Sequence, residues 1–127
     1  MKFTASMKNN YEFRRLYQKG KCARTPCLVV YARTARQTQN RLGLTVSTKV
    51  GHAVVRNRIR RRLREIYRLH EPGFRQGVSL VIVARARAAS ADYHRLETEL
   101  LKACRQLEIY ADVQSAAQAP ASGGAEG

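Results

Sequence analysis

Acid is what this chain of 127 residues is short of: nine Asp and Glu stand against 24 Lys and Arg, a formal net charge of +15 at neutral pH. Such an imbalance says nothing about fold, but it repels itself and calls for a polyanionic partner. Nucleic acid is the first class that fits, an anionic membrane surface the second. The acids are Glu12, Glu65, Glu71, Asp92, Glu97, Glu99, Glu108, Asp112 and Glu126. None makes a convincing metal-binding or acid/base pair. No apolar run approaches the roughly 20 residues of a membrane span, and no apolar block follows the N-terminal charges as a secretory signal requires. The expectation is therefore a cytoplasmic protein with no membrane partner. Cysteine is scarce too: Cys22, Cys27 and Cys104 are odd in number and spaced for neither a zinc site nor a disulfide framework, which suggests reduced thiols. His52, His70 and His94 form no ligand-like pattern. A Gly-rich phosphate loop and a nucleophile elbow are both missing. These absences predict no catalytic residue, no metal site and no cofactor bound by the polypeptide itself.

What is present is a dense run of arginine. From Gly51 the chain reads GHAVVRNRIRRRLREIYRLH, with Arg56, Arg58, Arg60, Arg61, Arg62, Arg64 and Arg68 opposed by Glu65 alone. Laid on a helix at about 100° per residue, Val55, Ile59, Leu63 and Ile66 form one apolar stripe. Asn57, Arg60, Arg61, Arg64 and Arg68 share the opposite face, and Arg58, Arg62 and Glu65 occupy a flank. A charge run is ordinarily a solvated face, but the near-absence of acid here favours a polyanion. Guanidinium forks match phosphate oxygens with paired hydrogen bonds. Asn57 in mid-helix costs up to about 0.7 kcal/mol relative to Ala, and its amide could read a base edge or a ribose. Glu65 is expected to pair with Arg61 or Arg62 across the helix surface.

Around this run the chain suits one domain, residues 1–113, followed by a disordered Ala/Ser/Gly/Pro tail over 114–127. Residues 1–8 read as basic and loosely held. A capping box at Asn9 and Glu12 predicts a short helix with Phe13, Leu16 and Tyr17 on one face, ended by Gly20. Residues 21–24 suggest an edge strand. Residues 27–34 and 41–48 alternate as strands, greasy on one side and carrying Tyr31, Arg33, Thr45 and Ser47 on the other. Glu71-Pro72-Gly73 stops the basic helix. VSLVIVA at 78–84 suggests an interior strand covered on both faces. Residues 85–89 read as a loop, and Ser90 as the cap of a last helix over 91–109. The order helix, strands, helix, strand, helix predicts an α+β protein, a sheet with helices packed against it as a two-layer α/β sandwich.

The stretch Lys49-Val50-Gly51-His52-Ala53-Val54-Val55-Arg56-Asn57-Arg58-Ile59-Arg60-Arg61-Arg62-Leu63-Arg64-Glu65 resembles the signature of the bacterial ribonuclease P protein subunit. Phe13, Tyr17, Tyr31, the run Arg41 to Ser47 and the run Val81 to Arg85 fall in register, so the resemblance covers about residues 8–107. It implies a small basic subunit of a ribonucleoprotein whose RNA carries the chemistry, a magnesium-dependent removal of the 5′ leader from precursor tRNA. On that resemblance the partners are the RNA subunit, one to one, and precursor tRNA, with no DNA expected. The magnesium would reach the holoenzyme through the RNA. The implied fold has a left-handed βαβ crossover and is similar to a ribosomal protein domain, against the usual right-handed rule.

The resemblance implies that Arg56, Asn57, Arg58, Arg60, Arg61, Arg62, Arg64 and Arg68 meet the catalytic RNA. It also implies a leader cleft at Phe13, Tyr17, Tyr31, Arg33, Ser47 and Lys49, where aromatic rings could stack unpaired bases. The signature usually has Asn where this chain has His52, a poorer helix cap; a start capped from Thr48 is the alternative. A structural ribosomal-type RNA-binding protein is the competing function that composition allows.

Overall fold

The computed structural model describes residues 4–7, 9–34 and 39–111. The 114–127 tail and the junction at 112–113 lie outside those residues, as does the first half of the polar connection expected at 37–40. The elements are β1 (Thr4–Ser6), α1 (Asn10–Lys19), β2 (Lys21–Arg24), β3 (Leu28–Thr34), β4 (Asn40–Val46), α2 (Ala53–His70), β5 (Val78–Ala84) and α3 (Tyr93–Gln106). The sheet order is β1-β4-β5-β3-β2. β1, β4 and β5 run parallel, while β3 is antiparallel to β5 and β2 antiparallel to β3.

β5 takes the middle because its near-continuous apolar run can be covered twice. Leu80 and Ile82 face a large core with Ile59, Leu63 and Ile66 of α2 and Leu96 and Leu100 of α3. Val81 faces a smaller cluster with Met7, Leu16 and Phe13. Sheet plus α2 and α3 make the expected two-layer sandwich, and α1 adds a helix on the reverse face.

Backbone direction gives the hand of the β4–α2–β5 connection. Leu42 turns its side chain to the α2 side, and its carbonyl accepts from the Met7 N–H at 2.7 Å on the β1 side. For an L-residue seen with its side chain toward the viewer and its strand running up, the peptide groups point right. So β1 lies right of β4 and β5 lies left. The chain steps leftward with α2 in front, which is the rare left-handed crossover. Leu28 agrees: it faces the same core, and its N–H and carbonyl bond Thr25 on the β2 side.

Several local expectations are corrected. A strand precedes α1: Thr4–Ser6 pairs with Asn40–Leu42. Its anchor is a buried polar chain that single-residue patterning does not show. The Thr4 hydroxyl donates to Glu71 Oε2 at 2.6 Å and lies 2.7 Å from the Tyr67 hydroxyl. Asn40 donates to the Arg75 carbonyl and, at 3.4 Å, to Tyr67, and accepts from the Val78 N–H. Asn9 does cap α1, accepting from the Tyr11 and Glu12 N–H groups, but the Glu12 carboxylate is drawn to Arg41 at 2.7 Å rather than closing a capping box. The loop after β5 is a 3-10 turn over Ala86–Ser90. Ser90 donates to the Arg87 carbonyl within it, so Asp92 caps α3 instead, accepting from the Arg95 N–H at 2.8 Å. The thiols are free, with Cys22 exposed and Cys27 and Cys104 buried.

Glu99 braces the β2–β3 corner against α3. It is 6% exposed, accepts from the Cys27 N–H at 2.8 Å and pairs with Arg95 at 2.6 Å. Burial pushes its carboxyl up, but hydrogen bonds from Thr25, Arg95 and Cys27 outweigh that and hold it at about 2. A depressed folded value means the brace is fully present above the ordinary carboxylate range and is lost as pH falls toward 2. Glu99→Gln should therefore flatten the acid limb of stability below about pH 4.5, removing on the order of 2–3 kcal/mol of pH-dependent stability. Urea titrations of both proteins across that range measure it.

Candidate nucleic-acid interface

Two surfaces emerge, one on each side of the sheet. The first is α2. Ile59, Leu63, Ile66 and Tyr67 are fully buried beneath it, with Val55 packed at the margin. Tyr67 completes the stripe although period alone placed it off the line. With this side fixed, the arginines divide into sets. Arg56, Arg58, Arg60 and Arg62 lie along the flanks, part-buried, and donate to the backbone carbonyls of Gly51, Ala89, Val46 and Ala91 respectively. Arg61 and Arg64 stand exposed, with no side-chain partner among the described residues. Arg68 is exposed and paired with Glu65 at 2.7 Å.

That pair corrects the expected Glu65 contact with Arg61 or Arg62. Arg62 is turned to the Ala91 carbonyl ahead of α3, and Arg68 offers both Nε and an NH2 group to the carboxylate. Asn57 is exposed on the outer face, and its carbonyl oxygen accepts from Arg60 at 3.1 Å. The amide NH2 therefore points its donors outward to whatever docks there.

His52 sits at the helix start in extended backbone but makes no capping bond. Thr48 is not the alternative cap, since Thr48–Val50 winds as a 3-10 turn before the helix. The His52 side chain thus supplies no acceptor to the first α2 N–H groups, in keeping with the poor capping chemistry of imidazole.

The second surface is the reverse face of the sheet beside α1. Cross-strand register aligns Gly43, Val81, Tyr31 and Cys22 in one row, and Thr45, Val83, Val29 and Arg24 in the next on the same face. Phe13 lies directly over Gly43, where a Cβ would come within 2.7 Å of its ring. Tyr17 and Tyr31 meet edge-on, centroids 5.0 Å apart. The Tyr17 hydroxyl reaches the Thr45 hydroxyl at 3.1 Å, tying α1 to β4. Thr45 was legible only as a polar position on an alternating strand; its role as a brace needed the helix above it. Ser47 and Lys49 are exposed in the segment that leaves the end of β4.

Arg33 stands apart from that group. It lines a hollow with Tyr11 and Arg15 on the other flank of α1. The structure thus brings Phe13, Tyr17 and Tyr31 together, sets Ser47 and Lys49 exposed in the segment that follows β4, and leaves Arg33 on the other flank of α1. Cleft and helix adjoin at the end of β4: Arg60 donates to the Val46 carbonyl one residue before Ser47, and Arg56 to the Gly51 carbonyl two residues after Lys49.

A mixed sheet with a left-handed crossover, an arginine-faced helix on one side and an aromatic cleft on the other defines a class of small cationic α+β protein. Comparison with known proteins narrows it. The sequence model of the family described as Ribonuclease P matches residues 1–108. The ribonuclease P protein component of Natranaerobius thermophilus is 38% identical over 104 residues, covering 82% of this chain and 90% of that one. That of Alkaliphilus metalliredigens is 35% identical, covering 86% and 98%. The solved RNase P protein of Staphylococcus aureus superposes with a TM-score of 0.78 at 28% identity, covering 84% of this chain and 97% of that one. This chain belongs to the ribonuclease P protein family, and so to the tRNA-processing ribonucleoprotein nuclease of that name, in which an RNA is its partner.

Restoring an oxygen acceptor at the start of α2 should firm up its first turn. His52→Asn is expected to raise stability by about 0.5–2 kcal/mol, read as a higher denaturant midpoint at unchanged slope.

Proposed function

We propose that this chain is the RNA-binding, non-catalytic subunit of ribonuclease P. It associates one to one with the RNA subunit in the cytoplasm, seats that RNA on α2 and holds the 5′ leader of precursor tRNA in the cleft of Phe13, Tyr17, Tyr31, Ser47 and Lys49. The RNA and the magnesium it binds perform the hydrolysis. The observation that carries this reading is the junction at the end of β4, where Arg60 and Arg56 bring the arginine helix against the open end of the aromatic cleft.

The chemistry of the side chains agrees with a binding role. A guanidinium keeps its proton throughout the working range, so it can neutralise phosphate but not act as a general base. Arg56, Arg58 and Arg62 each spend one donor on a protein carbonyl and Arg60 spends one on a carbonyl and one on Asn57, while the Arg58 Nε is buried; the donors that remain are left for phosphate oxygens. Arg61 and Arg64 supply charge with nothing to compete for it. Tyr31 and Tyr17, braced edge-on, offer ring faces for unpaired bases, each worth about 1–3 kcal/mol.

Neutralising Arg61 and Arg64 together (Arg61→Gln, Arg64→Gln) should weaken binding of the ribonuclease P RNA and reduce the slope of log affinity against log salt by roughly 1.5–2. Tyr31→Ala should leave that RNA affinity intact but weaken precursor tRNA relative to mature tRNA by about tenfold, given 1–3 kcal/mol per stacked base. The assay is cleavage of precursor tRNA by the RNA subunit at low magnesium, with and without the protein. An absence of stimulation by the wild-type chain overturns the reading.

A further inference from the structure

α1 divides the reverse face of the sheet, and its far side is also basic. Tyr11, Arg15 and Lys19 lie on the flank opposite Phe13 and Tyr17. Two hollows of about 230 and 180 Å³ share Arg33: the first lies along that flank, the second at the end of α1 between β2, β3 and the turn after α3. Lys19, Lys21 and Arg75 line the second. The side chains of Lys19, Lys21, Arg33 and Arg75 have no ion pair among the described residues, and Arg15 bonds only the Tyr11 hydroxyl, at 3.0 Å. Of the two acids at the rim, Glu12 is already held by Arg41 at 2.7 Å, leaving Glu108. At the mouth Tyr11 is 63% exposed, with the Arg15 guanidinium 5.9 Å over its ring. The floor of the first hollow is apolar, formed by Met7 and Leu16.

We propose that this flank is a second RNA groove, separate from the aromatic cleft, which takes a single-stranded segment by its phosphodiester backbone. Five cations spread over two hollows that share Arg33, with one free acid, suit successive phosphates rather than a single compact anion. The exposed Tyr11 ring gives one base a face to stack on, the pairing of aromatic and cation that single-strand sites use. An acidic peptide would need no such ring. An anionic membrane would be met by a convex or flat basic surface with apolar side chains at its crest; here the apolar floor is recessed beneath the cations. The strand is either the upstream part of a long leader that has rounded α1 or a segment of the RNA subunit, and both present the same backbone. The inference rests on the protein being an RNA-binding subunit.

The test uses the full chain with Lys19→Gln, Lys21→Gln and Arg75→Gln combined, all exposed positions, and Arg87→Gln, Lys102→Gln and Arg105→Gln combined, also exposed, as a control of equal net charge. The probe for the free protein is a short oligouridylate. The triple variant should bind it about tenfold more weakly, with a salt slope lower by about two, while the control changes little. In the holoenzyme, a loss confined to precursor tRNA with a long leader assigns the groove to the substrate. An equal loss with short and long leaders, together with weaker RNA-subunit binding, assigns it to the RNA subunit. Unchanged affinity and slope in every arm overturns the proposal. So does a loss seen only on phosphatidylglycerol vesicles with RNA binding intact. Failure of the earlier reading looks different, because then the wild-type chain itself does not stimulate cleavage.

Discussion

The rotation of α2 about its own axis governs most of what this protein presents to the outside. Ile59, Leu63, Ile66 and Tyr67 are buried completely, and full burial of a side chain of that size contributes about 1.5–3 kcal/mol. Turning the helix by one residue would lift part of that stripe into water and press guanidinium groups into an apolar core, where an unpaired charge is far more costly than a lost contact. The far end is pinned as well. Tyr67 reaches Thr4 and Asn40 through its hydroxyl, and His70 meets Glu97 of α3 at 2.8 Å and Tyr110 at 3.1 Å. The bearing of each arginine follows from these anchors.

Like charges crowded on one helix would ordinarily splay. Here the flanking guanidiniums lean on carbonyls at Gly51 and Val46, ahead of the helix, and at Ala89 and Ala91, in the connection from β5 to α3. Those carbonyl dipoles offset part of the repulsion and reduce the rotamer freedom that a phosphate contact would otherwise have to remove. The arrangement leaves Arg61 and Arg64 at the crest as the unoccupied charges. The arginine face is therefore partly self-supported before any partner arrives.

On the reverse side the organising element is α1. Leu16 is its only fully committed core residue, packed on Val81, and the Asn9 cap and the Glu12–Arg41 pair hold its start. The helix lies over the close approach that Gly43 permits. Because it crosses the sheet face instead of covering it, the residues of one strand fall on different sides of it: Tyr31 in the aromatic cleft and Arg33, two positions on, beyond it.

Much of this was open to reading in one dimension. The apolar stripe of α2, the two-sided burial of β5, the alternation of β3 and β4 and the stop at Glu71-Pro72-Gly73 are local periodicities, and local periodicity is what backbone geometry imposes on a sequence. The family signature rests on the same residues. Other features were not legible because they depend on partners distant along the chain. β1 is anchored where Thr4 finds Glu71 and Tyr67; Glu12 leaves its own capping box for Arg41; Glu65 pairs with Arg68 while Arg62 turns to the Ala91 carbonyl ahead of α3. Nor could spacing divide Arg33 from Tyr31, since alternation puts both on one face. The sequence alone determined which side chains face in and which face out, because helix and strand periods fix that residue by residue. Which outward side chains share a surface was decided by the tertiary structure, because only the placement of one helix across the sheet separates neighbours that the strand had joined.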